Sequence, residues 1–181
     1  MEKVLKKLGY KGEVPVLILN APESFKSEAF SLFGEAPKED FDDKKDKNKF
    51  KFVMVFLYNL TDVEKYKKIA LDALHEEGRV YLTYPKKSSK KYKSDISRDI
   101  LWPMLGEFGY EPVSLFSVDD DWSAMRFKKA EDIKSMIRTV ASTEVAQKRI
   151  DEMNKKKSPE ELERDQAKKS GIYGKLKKEK R

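Results

Sequence analysis

The chain has 181 residues, 39 of them Lys or Arg and 32 Asp or Glu, for a formal charge of +7 with its single His neutral. That length fits one domain with an appendage, and a hydrophobic share of only 39% beside a charged share of 39% leaves part of the chain without enough apolar surface to build a core. The absence of cysteine excludes a disulfide framework, a thiolate zinc site and a cysteine nucleophile; one histidine excludes a multi-histidine metal centre, and no apolar run is long enough to span a membrane.

The basic start lacks a small-residue cleavage pattern, so the expected address is the cytoplasm. Residues 14–20 (VPVLILN) are continuously apolar, which suits a strand buried on both faces. After Asn20-Ala21-Pro22, the spacing of Phe25, Ala29, Phe30 and Phe33 predicts a helix that Gly34 ends. Residues 35–49 mix acids and lysines without periodicity and read as a mobile surface loop with at most a short edge strand. Residues 50–58 (FKFVMVFLY) predict a second strand, and Val63, Tyr66, Ala70, Ala73 and Leu74 a helix opened by a Thr61–Glu64 capping box. Glu76-Glu77-Gly78 closes that helix and residues 79–84 form a third strand. Beyond a basic loop, Ile96, Ile100, Met104 and Phe108 predict another helix, capped by Ser94 or Asp95 and kinked or restarted at Pro103. Residues 112–118 and 123–128 read as a hairpin across Asp119-Asp120-Asp121.

After Ala130 the apolar residues thin from a stripe of Ile133, Met136, Ile137 and Val140, giving a charged helical arm, with Ser158 and Glu161 marking a further helix start. The division is a domain over 1–130 and a partly disordered arm over 131–181. Residues 151–181 hold eleven Lys or Arg against seven Asp or Glu, so four of the seven net positive charges sit there.

Alternating strands and helices require right-handed crossovers, which predicts a three-layer α/β Rossmann-like fold: a mostly parallel five-stranded sheet in the order 1-2-3-5-4 with a C-terminal antiparallel hairpin. This layout resembles that of S-adenosylmethionine-dependent methyltransferases, whose last strand inserts antiparallel beside its neighbours; residues 74–82 (LHEEGRVYL) look like the helix, glycine turn and strand before their final third. More specifically, residues 19–25 (LNAPESF), 84–89 (YPKKSS) and 119–127 (DDDWSAMRF) resemble a family of small uncharacterised bacterial proteins, a domain of unknown function. Its members share a leucine-glycine segment like Leu8-Gly9, an asparagine-alanine-proline turn, a Trp-Pro-Lys-Lys loop and a tryptophan-serine hairpin. The resemblance covers about residues 5–128, Tyr84 stands where the loop carries tryptophan, and the family implies no activity.

A dinucleotide or S-adenosylmethionine site needs close-approach glycines after the first strand and an acid ending the second. Asn20-Ala21-Pro22 replaces the glycines and no acidic strand end is readable, so no cofactor is expected. The turn reads either as a corner in which Asn20 caps the next helix or as part of a site for another ligand. Residues 85–94 carry five lysines and read either as a solvated loop or as a grip for an anion. Trp122 either seals the sheet or stacks on a ligand. Asp119 and Asp121 lack the spacing of a calcium loop, so no metal is expected, and His75, late in a helix, has no catalytic partner.

Because ligands in open α/β sheets sit beyond the carboxyl ends of the strands, the candidate ligand surface gathers Asn20, Ala21 and Pro22 with Tyr84, Pro85, Lys86 and Lys87, and the Trp122-Ser123 corner. No catalytic residue is assigned. The expected function is a non-catalytic binding or regulatory module for a small anionic ligand or a protein partner; the alternatives are a divergent enzyme, or a protein that meets nucleic acid through its basic loop and tail.

Overall fold

Apolar runs that cannot face water form strands covered on both sides, and in the computed structural model, which describes residues 1–134 and 141–161, three of them lie parallel in one sheet. These are β1 (Val16–Leu19), β2 (Phe50–Phe56) and β3 (Leu74–Pro85). The hairpin strands β4 (Tyr110–Ser117) and β5 (Trp122–Lys129) are antiparallel, and β5 returns between β3 and β4, so the order is β1-β2-β3-β5-β4 as expected.

Alternation along each strand divides the core in two. Leu17, Leu19, Val53, Val55, Leu82 and Met125 face α3 (Leu60–Ala73) and the segment around α4 (Arg98–Leu101). On the other face Val16, Ile18, Met54, Phe56, Tyr81 and Ala124 lie under α1 (Glu2–Leu8) and α2 (Glu23–Ala29). The register shifts between Phe50 and Phe52, and the alternation resets there, because Phe50 packs on the α3 side whereas Phe52 packs on the α1 side. Phe50 pairs with Leu74 and Phe52 with Arg79, so residues 75–78 bulge out of β3. A Cβ on Gly78 would stand 2.8 Å from the His75 carbonyl oxygen and 2.9 Å from that of Phe50, which leaves glycine as the residue this bulge admits.

Helix starts depart from the sequence-based expectation. Asn59 rather than Thr61 is the N-cap of α3: its Oδ1 accepts the Asp62 N–H at 3.0 Å, while Asp62 Oδ2 accepts the Tyr58 N–H at 2.8 Å. Ser97 caps α4, with Oγ accepting the Ile100 N–H at 3.3 Å. Ser94 instead accepts from Ile96 and Asp95 from Leu60. The long helix over 96–108 is one four-residue turn and a 3-10 turn at Gly106–Phe108, interrupted at Pro103, which has no N–H to continue the ladder. His75 lies in the β3 bulge rather than in a helix, its Nδ1 accepting the Glu77 N–H at 3.2 Å.

Beyond the hairpin, α5 (Glu144–Lys155) packs Ala146 and Ile150 against Ala130, Ile133 and Val113. Buried Glu111 on β4 receives the N–H groups of Ser142 and Thr143 at 2.7 and 2.6 Å just ahead of this helix, and Arg149 donates to the carbonyls of Ala130 and Ile133 at 2.6 Å each. The Ser158–Glu161 capping box forms reciprocally at 3.0 and 3.3 Å. Met136, Ile137, Val140 and the tail from 162 lie outside the described residues.

The 35–49 loop, expected to be mobile, is organised around a buried acid. Asp46 is 1% exposed; it accepts the Asp42 N–H at 2.9 Å and the Lys49 ammonium at 3.2 Å, and it is bonded to the Lys38 ammonium. Lys38 in turn joins β1, accepting from Ile18 at 2.9 Å and donating to the Val16 carbonyl at 2.8 Å in an isolated parallel bridge with Leu17. The Lys38 hydrogen bond, with help from the Asp42 N–H and Lys49 and against the opposing effect of burial, holds the Asp46 carboxyl down at about 2, against 3.8 ordinarily. A lowered folded value means that this stabilisation is complete above about pH 4 and is lost as pH falls through about 2. Asp46→Asn should therefore lower the melting temperature by several degrees at neutral pH and flatten the fall in stability between about pH 4 and 2, read from thermal melts across that range. An unchanged acid limb in the variant would mean that other contacts hold the loop.

Candidate functional site

The carboxyl rim of the parallel strands begins at Asn20, whose φ of 57° places it in the left-handed region that asparagine tolerates better than most residues. Its Nδ2 donates to the Phe56 carbonyl at 2.8 Å, so the side chain ties the end of β1 to the end of β2. It does not cap α2. Pro22 holds that position, and its carbonyl accepts the N–H groups of Phe25 and Lys26 at 2.9 and 3.1 Å. Ala21 packs against the α1-side core. The asparagine-alanine-proline turn is thus a corner whose polar group is already engaged.

Trp122 opens β5 directly opposite Pro85 and is 1% exposed. Its ring meets Phe56, Tyr58 and Tyr92 at centroid distances of 5.1, 5.0 and 4.9 Å, which are favourable separations for edge-to-face and tilted pairs. These rings close the middle of the rim. Burial pushes the Tyr58 hydroxyl up from its ordinary value, as expected inside such a cluster. Trp122 Nε1 and Thr83 Oγ1, two steps apart on facing strands, are both buried without a hydrogen-bond partner among the described residues. Tyr84 and its ladder partner Ser123 belong to the opposite face: Tyr84 packs in the α3-side core, and burial raises its hydroxyl as well. The sequence groups Tyr84 with Trp122, but pleat alternation sends the two rings to opposite sides of the sheet.

The basic loop leaves β3 beside the hairpin turn and is bolted to it. Lys86 N–H donates to the Asp121 carbonyl at 2.7 Å, and its ammonium donates to Ser117 Oγ at 2.8 Å and to the Asp119 carbonyl. Ser89 Oγ donates to Asp121 Oδ1 at 2.6 Å and accepts from Tyr92 N–H at 3.0 Å. Asp119 Oδ1 accepts the N–H groups of Asp121 and Trp122 at 2.8 and 2.7 Å. These two aspartates therefore serve the turn, and among the described residues no cluster of three or more acidic or histidine side chains is placed to hold a metal ion. Lys87, Lys90 and Lys93 are exposed and have no carboxylate within ion-pair distance among the described residues, and Lys91 lies 5.2 Å from the Tyr92 ring centroid. Pro85, Lys87, Ser89, Tyr92, Lys93 and Ser94 line an open cavity of about 420 Å³.

Asn20 and Pro85 through Lys87 lie at the same carboxyl rim, with Trp122 buried on the next strand opposite Pro85, whereas Tyr84 and Ser123 turn away. Sequence reasoning missed Tyr58 and Tyr92, which enclose Trp122, and Glu39. Glu39 follows the one-residue bridge beside β1 and pairs with Lys26 of α2 at 2.5 Å. It is one of several acids in a charge-rich loop, singled out only by the pairing of Lys38 with β1.

No protein-family model matches the chain, and no curated protein matches it. Among solved structures, a protein described as a type 11 methyltransferase from Sulfolobus solfataricus is similar at 10% identity over 71% of this chain and 90% of its own, with a TM-score of 0.45. LepI in complex with S-adenosylmethionine is similar at 12% identity over 71% of this chain with a TM-score of 0.39, and this chain spans 39% of its length. The methyltransferase-like description of the fold rests on strand order and the inserted antiparallel strand.

Truncating a buried aromatic costs about 3–5 kcal/mol, so Trp122→Ala should lose that much in urea denaturation. Lys86→Ala should lose about 1–2 kcal/mol with its hydrogen bonds to the hairpin, and Lys87→Ala less than about 0.5 kcal/mol as an exposed substitution. Equal losses at Lys86 and Lys87 would remove the structural role of Lys86.

Proposed function

We propose that the chain is a non-catalytic binding or regulatory module on a methyltransferase-like sheet, with residues 1–130 as the module, and that it takes a small anionic ligand at the basic loop. The observation that carries this reading is the cavity of about 420 Å³ at the carboxyl rim, edged by Lys87 and Lys93, which have no acidic partners among the described residues, and backed by Ser89, Ser94 and Tyr92. Ammonium groups on a loop held to the scaffold by Lys86 and Ser89 attract a ligand charge without having to be ordered first.

The neighbouring rim supports a ligand other than S-adenosylmethionine. Asn20 is engaged with the Phe56 carbonyl, Pro22 brings no N–H, and Glu39, which follows the bridge beside β1, is paired with Lys26. An adenosyl group seated there would have to break both contacts. Protein and nucleic-acid partners are weaker readings, because Tyr92, the aromatic of the loop, is spent on Trp122 instead of being offered to a base.

Calorimetry on the full chain with adenosine triphosphate as the anionic probe should give saturable heat, weakened about tenfold in Lys87→Ala/Lys93→Ala with a shallower salt dependence and an unchanged melting temperature. S-adenosylmethionine should give no saturable heat at micromolar concentration. An unchanged affinity in the double variant, or an S-adenosylmethionine complex over residues 20–22, would overturn the reading.

A further inference from the structure

At the amino rim, the opposite end of the sheet from the basic loop, Arg126 of β5 faces Tyr81 of β3 in the ladder. Arg79 and Lys128 follow on the two strands, and pleat alternation places all three cations on the α1 side. Two of them are provided for: Arg79 pairs with Glu13, and the Lys128 ammonium donates to the Asp132 carbonyl at 2.8 Å. Arg126 is not. No carboxylate lies within ion-pair distance of it among the described residues, and its Nε is buried without a hydrogen-bond partner. An unsatisfied buried donor on a charged group is destabilising, as are like charges facing each other across a strand pair. The fold holds both features at one place.

That place is hollow. Arg79, Arg126 and Lys128, joined by Lys129 and Lys134, line a cavity of about 470 Å³, in the size range of small-molecule sites. Glu76, Glu77 and Asp132 stand in the same lining, and Glu77 is drawn to Lys51 at 3.4 Å. A planar guanidinium flanked by two further cations matches a compact oxyanion bearing more than one charge. The neighbouring carboxylates disfavour an extended polyanion such as a nucleic-acid strand, which would have to run past them.

We infer that this cavity is a second anion site, in which Arg126, with Arg79 and Lys128 beside it, receives the phosphate group of a small molecule. It is independent of the basic-loop reading, since it lies at the other end of the strands and uses none of the same residues.

Inorganic pyrophosphate titrated into the full chain at low ionic strength tests it, by calorimetry and by the shift in melting temperature. Wild type should bind saturably and melt higher with the probe. Arg126→Gln should weaken one class of site at least tenfold and lose that part of the melting shift, and Arg126→Lys should fall between, because an ammonium keeps the charge without the two-pronged geometry. Lys87→Ala/Lys93→Ala should leave this class of site intact. Should Arg126→Gln fail to fold, Arg126→Lys decides alone. The inference is overturned by the absence of saturable binding in wild type, by Arg126 variants that bind as wild type does, or by losses confined to the Lys87/Lys93 variant.

Discussion

A strand buried on both faces must pair its backbone on both sides, and β3 meets that demand by taking β2 in parallel and β5 antiparallel. Both rims follow from this. Because β5 runs against β3, its first residue, Trp122, arrives where β3 ends at Pro85, and its later residues, Arg126 opposite Tyr81 and Lys128 beyond the last ladder pair at Val80, lie toward the amino side. The single antiparallel insertion thereby closes the carboxyl rim with an indole and loads the amino rim with cations. Neither result requires any special loop.

The sheet was legible because its strands are the apolar runs of a charge-rich chain. VLIL, FKFVMVF and VYLTY have no solvent-facing alternative, and the three-aspartate gap sets a hairpin. Helix starts were less so, because several oxygen-bearing side chains stand in a row and local sequence does not rank them. Thr61 with Glu64 satisfies the capping pattern as well as Asn59 with Asp62, but the end of β2 fixes where the chain turns, and Asn59 is the residue there. The 35–49 loop misled for a related reason. A charge run is normally solvated, yet one of its acids, Asp46, is drawn inside by two lysines and a backbone N–H.

In the candidate surface proposed from sequence, the segments lie at one rim but their side chains do not share one face. Pro85 through Lys87 and Asn20 leave the carboxyl ends of β3 and β1, which parallel pairing puts at the same rim with β2 between them. What a motif cannot convey is pleat parity: Tyr84 and Pro85 are neighbours in sequence on opposite faces, and only the second lies beside Trp122. Lysines also look alike in sequence. Lys86 is committed to Ser117 and Asp119 whereas Lys87, one residue on, has no carboxylate partner among the described residues, a distinction set by the hairpin beside the loop. Arg126 gave no signal at all, since an arginine in an alternating strand reads as solvent-facing.

The Lys38 bridge has a bearing on self-association. An outermost strand with free N–H and C=O groups is a template for another chain, and β1 is such a strand, apolar along its whole length. Lys38 spends its own N–H and C=O on Ile18 and Val16, and the ion pair to Asp46 keeps it there. That flank of the sheet is obstructed by a residue that is both charged and anchored. On the other flank β4 carries Pro112, which has no N–H to offer, and a register shift between Pro112 and Ser114. Both flanks of this apolar sheet are thereby made poor templates for a further strand, one by a tethered lysine and the other by a proline.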